Sequence, residues 1–266
     1  MKRVLVTGSE GFIGKNLCPY LSKRGIDVEE YDIKNGGNLP ALNGIDAVIH
    51  LGANSSTTEK DLKKILQENF IFSGTLYQLC AAMGIKFQYA SSASVYGLAE
   101  TFEEDQFCIP LSPYGYSKYM FDNWLLNEDH PYQGFRYFNV YGPHEEHKGD
   151  QASPITKFIK QVQEDGEIKV FRTKASRDFV NVEDVCEVHY RMLHHDDSGI
   201  FNVGTGNSVS FKDIADKMAG NSGAKVKQIS MPSSLKDQYQ KFTKADIKKL
   251  TSVIGEIEWK QVLECI

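Results

Sequence analysis

With 266 residues and 41% hydrophobic content, the chain can build one large core or two packed domains. A formal net charge of -5 with dispersed lysines excludes the basic tract that a nucleic-acid partner requires. Cys18, Cys80, Cys108, Cys186 and Cys265 are widely spaced and form no Cys-x-x-Cys pair, which predicts reduced thiols in the cytoplasm and not a disulfide framework. The opening MKRVLVTG breaks its apolar run at Thr7-Gly8, too early for a signal-peptide core. No later segment reaches bilayer-spanning length, so no membrane partner is expected.

Taken in chain order, RVLV predicts a first strand, followed by a helical pattern, then DVEEYD and DAVIHLGA as further strands. EKDLKKILQENFIFSGTLYQLCAAMG has helical periodicity, and KFQYASSASVYG predicts the next strand and its loop. This alternation predicts an α/β fold, a doubly wound parallel Rossmann sheet flanked by helices. Only a dozen residues, IKNGGNLPALNG, separate the second strand from the third. They leave no room for an extra strand, which predicts a trimmed sheet edge. From about Gly142 the alternation is lost, and short mixed elements predict a smaller mixed α/β substrate domain. The division is residues 1–141 for dinucleotide binding and 142–266 for the cap, with 176–203 packing back on the first domain. Asn181 is the candidate cap of a helix in that returning segment.

VLVTGSEGFIG places Gly8, Gly11 and Gly14 directly after the first strand and at a helix start. Such a turn lets backbone amides approach a pyrophosphate, and Asp32 after the second strand can accept from an adenosine ribose. Asp32 favours an unphosphorylated ribose, whereas Lys34 could neutralise a 2'-phosphate. Pro19 lies within the predicted helix and is expected to kink or shorten it.

Ser92 ends a strand, and Tyr114 and Lys118 lie four apart, hence on one helical face. A Tyr-x-x-x-Lys pair alone carries little information; its order after the glycine turn and the strand-end serine gives it weight. YGPHEEHKGD, 141–150, is dense in ionisable groups. His144 and His147 are three apart behind a Gly-Pro turn, not four apart on a helix as zinc-binding His-Glu-x-x-His requires, so no metal is expected.

The glycine turn, Ser92, Tyr114, Lys118 and FNVYGP resemble the extended short-chain dehydrogenase/reductase family of nucleotide-sugar enzymes, the NAD-dependent epimerases and dehydratases. SSTTE at 55–59, GFRYFNVYGPHEEHKGDQAS, RDFVNVEDV, GIFNVGTG and LKDQYQKFTKADI narrow the resemblance to the ADP-heptose 6-epimerases. It spans nearly the whole chain, without the edge-strand segment and with a shortened C-terminus. It implies a nucleotide-sugar epimerase that oxidises a carbinol and reduces the ketone again with tightly bound NADP or NAD, NADP being favoured. The substrate is a nucleotide-diphosphate sugar, and a homo-oligomer is left open.

The resemblance implies Tyr114 as acid/base, Lys118 and Ser92 as its helpers, and Lys148 of HKG as a second acid/base that also touches cofactor. It adds Phe12, Ile13, Ile33, Asn38 and Leu39 to the cofactor contacts, together with Leu51, Gly52, Ala53, Asn69 and Val140. Ser55 falls at the boundary of cofactor and substrate. Asn139, Lys157, Phe171, Arg177 and Tyr239 would meet substrate, Arg177 as a fork on the diphosphate. Asp150 stands where that family has serine, and it could oppose Lys148 or bind a sugar hydroxyl. A 4-epimerase or reductase on another sugar nucleotide remains open, as does a non-catalytic cofactor-binding sensor. A 4,6-dehydratase is disfavoured because SSASVYG lacks an Asp-Glu pair after its serine.

Overall fold

The computed structural model describes residues 2–35, 38–56, 59, 61–233 and 239–266, Asp150 by its backbone alone. The strands are β1 (Arg3–Thr7), β2 (Asp27–Tyr31), β3 (Ala47–His50), β4 (Lys86–Ser92), β5 (Tyr132–Tyr137) and β6 (Asn139–Tyr141). They continue with β7 (Glu167–Phe171), β8 (Ser176–Arg177), β9 (Phe179–Asn181), β10 (Gly199–Val203), β11 (Val209–Ser210) and β12 (Lys225–Ile229). The helices used below are α1 (Phe12–Ser22), α2 (Leu62–Leu66), α3 (Phe72–Met83), α4 (Pro113–Leu125), α5 (Pro154–Asp165), α6 (Val182–Met192) and α7 (Phe211–Ser222).

A six-stranded sheet of order β10-β5-β4-β3-β1-β2 has every neighbouring pair parallel. Parallel strands covered on both faces need continuous apolar runs, and Val4, Leu5 and Val6 of β1 are fully buried. One face packs Leu5, Val48 and Phe87 against Leu76, Tyr77 and Phe121 of α3 and α4. The other packs Val4, Val6 and Ile49 against Leu17 and Leu21 of α1 and Cys186 of α6. This is the α/β Rossmann-type fold that the alternation predicts. β2 is the outer strand, and among the described residues no strand lies beyond it.

Helix α1 runs through Pro19 and ends at Ser22, with the Asn16 side chain donating to the Phe12 carbonyl at 2.9 Å. The same amide donates to the Pro143 carbonyl at 3.0 Å, tying α1 to the start of the charged loop. Asn181 caps α6 by accepting the Glu183 N–H at 2.9 Å. β10 joins the sheet beside β5. A second cluster, with Ile155 and Phe158 of α5, Ile168 and Val170 of β7 and Ile214 and Met218 of α7, forms the other lobe.

Candidate active site

A cavity of about 690 Å³ opens above the carboxyl ends of β1, β3 and β4, where a doubly wound sheet presents ligands. Gly8, Gly11, Phe12, Ile13 and Gly14 form one wall. Gly8 has φ +75°, and a Cβ there would meet the Gly52 nitrogen at 2.5 Å; a Cβ on Gly14 would lie 2.3 Å from the Gly8 carbonyl. Both positions therefore require glycine. Gly11 caps α1 without a side-chain hydrogen bond, so the amides of the first helical turn face the cavity with no side chain covering them. This arrangement fits the diphosphate of a dinucleotide.

Asp32, Ile33 and Lys34 line the far end of the same cavity. The Asp32 carboxylate accepts the Glu10 N–H at 3.2 Å and the Lys34 N–H at 3.0 Å, which fastens the glycine turn to the end of β2. Lys34 is exposed there. Leu51, Gly52, Ala53 and Ser55, following β3, continue the wall. Asn69 lies behind it in a π-helical turn, Gln67–Ile71: it accepts the Asn54 N–H at 2.7 Å and donates to the Asn54 carbonyl at 2.9 Å and to Ser117 Oγ at 3.0 Å. It clamps α4 to the loop after β3 and does not line the cavity.

Ser92, Tyr114 and Lys118 share one wall. Ser112 caps α4 by accepting the Gly115 N–H at 3.1 Å, and Pro113 occupies the first turn, where its missing N–H costs nothing. Gly115 lets α4 approach the turn after β4, which places the Tyr114 phenol close to Ser92. Burial raises the Tyr114 pKa; the Ser92 hydrogen bond opposes this, and the Asp122 charge adds to it. Burial pushes the Lys118 ammonium down to about 8, with Asp122 one helical turn away pulling it back up. Asp122 is itself committed to Arg136 Nε at 2.9 Å, Tyr89 at 2.8 Å and Ser91 at 3.0 Å.

Two buried imidazoles brace this wall. His50 receives Thr7 Oγ1 on Nδ1 at 2.6 Å and reaches Ser73 Oγ with Nε2 at 2.8 Å. His189 meets the Gln88 amide oxygen through Nδ1 at 2.7 Å and the Tyr137 hydroxyl through Nε2 at 2.5 Å. Burial pushes both down to about 3, the Lys118 charge adding to the effect on His50. Tyr137, opposite Ser92 in the sheet register, lines the cavity and escaped the sequence reading.

Asn139 and Val140, then Glu145, His147 and Lys148 from the charged loop, line the same cavity. His144 is exposed at φ +70°, and among the described residues no cluster of His, Cys, Asp or Glu is placed to hold a metal. The Lys148 ammonium lies 3.6 Å from the buried Glu145 carboxylate and 5.3 Å from the centroid of the Phe12 ring. The Asp150 side chain lies outside the described residues, as do Thr57 and Thr58 of SSTTE and the first part of LKDQYQKFTKADI.

The model of the NAD dependent epimerase/dehydratase family matches residues 4–204, from the first strand to the end of the sheet. The chain belongs to that family. Among solved structures it is similar to the ADP-L-glycero-D-manno-heptose-6-epimerase of Helicobacter pylori, at 26% identity and TM-score 0.86 over 98% of this chain and 93% of that one. A UDP-N-acetylglucosamine 4-epimerase of Methanobrevibacter ruminantium, in complex with UDP-N-acetylmuramic acid, matches at 25% and 0.86, covering 97% and 93%. A UDP-glucuronic acid 4-epimerase of Bacillus cereus, in complex with a UDP-sugar and NAD, matches at 26% and 0.83, covering 98% and 96%.

In this member of the epimerase/dehydratase family the remaining expected contacts lie away from the cavity wall. Asn38 is exposed, and Leu39 packs against the sheet core. Lys157 is half-buried on α5. Arg177 is buried between the Phe211 and Tyr239 rings, 5.4 and 5.3 Å from their centroids. Its guanidinium donates to the Ser176 carbonyl at 2.9 Å and to the Gln240 carbonyl. Phe171 meets Tyr239 edge-on at 6.3 Å. Phe171, Arg177 and Tyr239 thus form one cluster in the second lobe. Burial lowers the Arg177 pKa, and Tyr239 opposes this. Next to it, Asp178 accepts the amides of Thr205, Gly206 and Ala245 at 2.8 to 3.0 Å, joining three segments around the cluster. Among the described residues no helix is long and apolar enough to cross a membrane.

Proposed function

We propose that the protein is a cytoplasmic nucleotide-sugar epimerase that inverts C6 of an ADP-heptose by transient oxidation to a ketone and re-reduction. The observation that carries this reading is one cavity lined by Ser92, Tyr114 and buried Lys118 together with Lys148 of the charged loop. Inversion moves hydride to either face of one carbon and exchanges a proton at its oxygen in two orientations of the carbonyl, and two proton-exchanging groups in one cavity suit that task.

NADP or NAD would be held by the amides of Gly11 to Gly14, by Asp32 and Lys34 at the adenosine end, and by the wall from Leu51 to Ser55. When bound, its nicotinamide accepts a hydride from the carbinol carbon and returns it. Ser92 donates to the reacting oxygen and holds it beside Tyr114. Tyr114 takes the hydroxyl proton as the ketone forms. Lys118, brought down toward neutrality by burial, supplies positive charge that favours the phenolate when protonated. After the ketone turns, Lys148 returns a proton from the other side. The lobe containing Arg177 and Tyr239 would receive the nucleotide diphosphate; the Gln240 carbonyl must release the guanidinium for a fork on that anion. Asp32 and Lys34 pull the cofactor choice in opposite directions, and titration with both forms decides it.

Incubation with ADP-D-glycero-D-manno-heptose, read by NMR, tests the assignment: inversion at C6 is expected. No inversion there, with inversion at C4 of UDP-N-acetylglucosamine or UDP-glucuronic acid, moves the protein to the 4-epimerases, a second reading favoured by the M. ruminantium and B. cereus neighbours. Cofactor binding with no exchange at any sugar carbon would leave a sensor.

A further inference from the structure

Of the two adjacent glutamates in PHEEHKG, Glu146 is exposed, whereas Glu145 retains 1% of its exposure and still borders the cavity. Its carboxylate is divided among three partners. Oε1 accepts the Ser153 N–H at 2.7 Å and Oε2 accepts the Thr156 hydroxyl at 2.7 Å, both at the start of α5. Lys148 Nζ stands 3.6 Å from Oε1. Two neutral donors do not cancel a buried negative charge, so the carboxylate calls for a cation. Among the described residues Lys148 is the one within ion-pairing distance.

At 3.6 Å the pair is a contact of charges and not a hydrogen bond. The ammonium is therefore held without committing its three N–H donors to the carboxylate. The Phe12 ring confines it from the side of α1. The backbone is fixed as well: the Lys148 N–H donates to the Glu145 carbonyl at 3.0 Å, and Gly149, at φ +51° and ψ -121°, stops the short helix directly after the lysine. A free lysine side chain carries about 2 kcal/mol of rotamer entropy, so a tether set on two sides brings its amine to one place.

We infer that Glu145 is a positioning residue: its buried carboxylate holds the Lys148 ammonium on the cavity wall, donors free, to exchange a proton with the reacting oxygen. The inference rests on Lys148 acting as the second proton-exchanging group. Through Thr156 and Ser153 the same carboxylate fixes the loop to α5, so one side chain sets both the loop and the amine.

Glu145→Gln separates these two tasks. Its amide keeps an oxygen for the Ser153 N–H and a polar group for Thr156, and it removes only the charge opposite Lys148. With ADP-D-glycero- and ADP-L-glycero-D-manno-heptose as starting epimers, single-turnover reduction of the bound nicotinamide reports oxidation from each face. Lys148→Ala should slow one epimer by about 10²-fold and leave the other within about threefold. Glu145→Gln should slow the same epimer by about tenfold, with unchanged cofactor affinity and thermal midpoint. If Lys148→Ala is one-sided and Glu145→Gln slows both epimers equally or neither, the positioning role is refuted while Lys148 keeps its own. If Lys148→Ala acts on both epimers or on neither, the role of Lys148 fails and the inference with it. A readout without substrate is the rate of reductive methylation of Lys148, followed by mass spectrometry. It should rise about threefold in Glu145→Gln as the amine leaves its seat; an unchanged rate refutes the tether.

Discussion

Gly115 and Ser94 are in backbone contact: a Cβ built on Gly115 would lie 2.9 Å from the Ser94 carbonyl oxygen and 3.0 Å from Pro110 Cβ. This approach sets the distance between the turn that carries Ser92 and the helix that carries Tyr114 and Lys118. Gly115→Ala should push α4 outward by a few tenths of an ångström and lower kcat by about tenfold to 100-fold, with a small change in cofactor affinity. Steady-state kinetics beside cofactor titration checks it; unchanged kcat would show that the spacing is not limiting.

Tyr114→Phe keeps the ring and removes the phenol. Turnover should fall by about 10²- to 10⁴-fold while cofactor dissociation constants stay within about threefold. Retained turnover would take Tyr114 out of the chemistry.

Lys118 holds a charge that burial disfavours. Its folded pKa, about 8, lies below the ordinary lysine value near 10.4, so the unfolded chain binds more protons between those two pH values. Stability from this group therefore rises as pH increases from about 8 to about 10.4, and the charge costs roughly 3 kcal/mol at pH 7. Lys118→Met should stabilise the cofactor-free protein at pH 7 and abolish turnover. Its stability advantage over the natural protein should shrink toward pH 10, as urea denaturation at the two pH values can show.

His50 and His189 have opposite tautomers fixed by their partners. Ser73 donates to the Asn69 carbonyl at 2.9 Å, so His50 must donate from Nε2; His189 donates from Nδ1 to the Gln88 oxygen. Nitrogen-15 NMR should show both rings neutral from pH 7.5 to 5, one in each tautomer. Their folded values, near 3, lie below the ordinary 6.5, so the stability that they contribute is complete above 6.5 and lost as pH falls toward 3. A ring that titrates near pH 6.5 would contradict its burial.

The parts of the site legible in the sequence are those written in local spacing. Gly8, Gly11 and Gly14 follow a buried strand directly, and Tyr114 and Lys118 fall one helical turn apart, so chain geometry alone brings them to the cavity. The thin stretch between β2 and β3 likewise revealed the trimmed edge. What escaped depends on contacts distant in sequence. Tyr137 and His189 meet across 52 residues, and nothing local separates Glu145, which burial selects, from exposed Glu146. Asn69 was expected on the cofactor, yet the π-helical turn directs its amide to Asn54 and Ser117, a consequence of packing against α4 that periodicity does not reveal. Arg177 was expected to fork onto a diphosphate, and its place between two aromatic rings depends on α7 and the segment around Tyr239.

In the proposed reaction one hydride leaves a sugar carbon and returns to it from the other face. ADP-D-glycero-D-manno-heptose deuterated at C6, turned over in ordinary water, tests this most directly. An inverted product that retains its deuterium at C6 through many turnovers is expected. Deuterium lost to solvent as inversion proceeds would mean that the carbon is deprotonated instead of oxidised, and would contradict the proposed reaction.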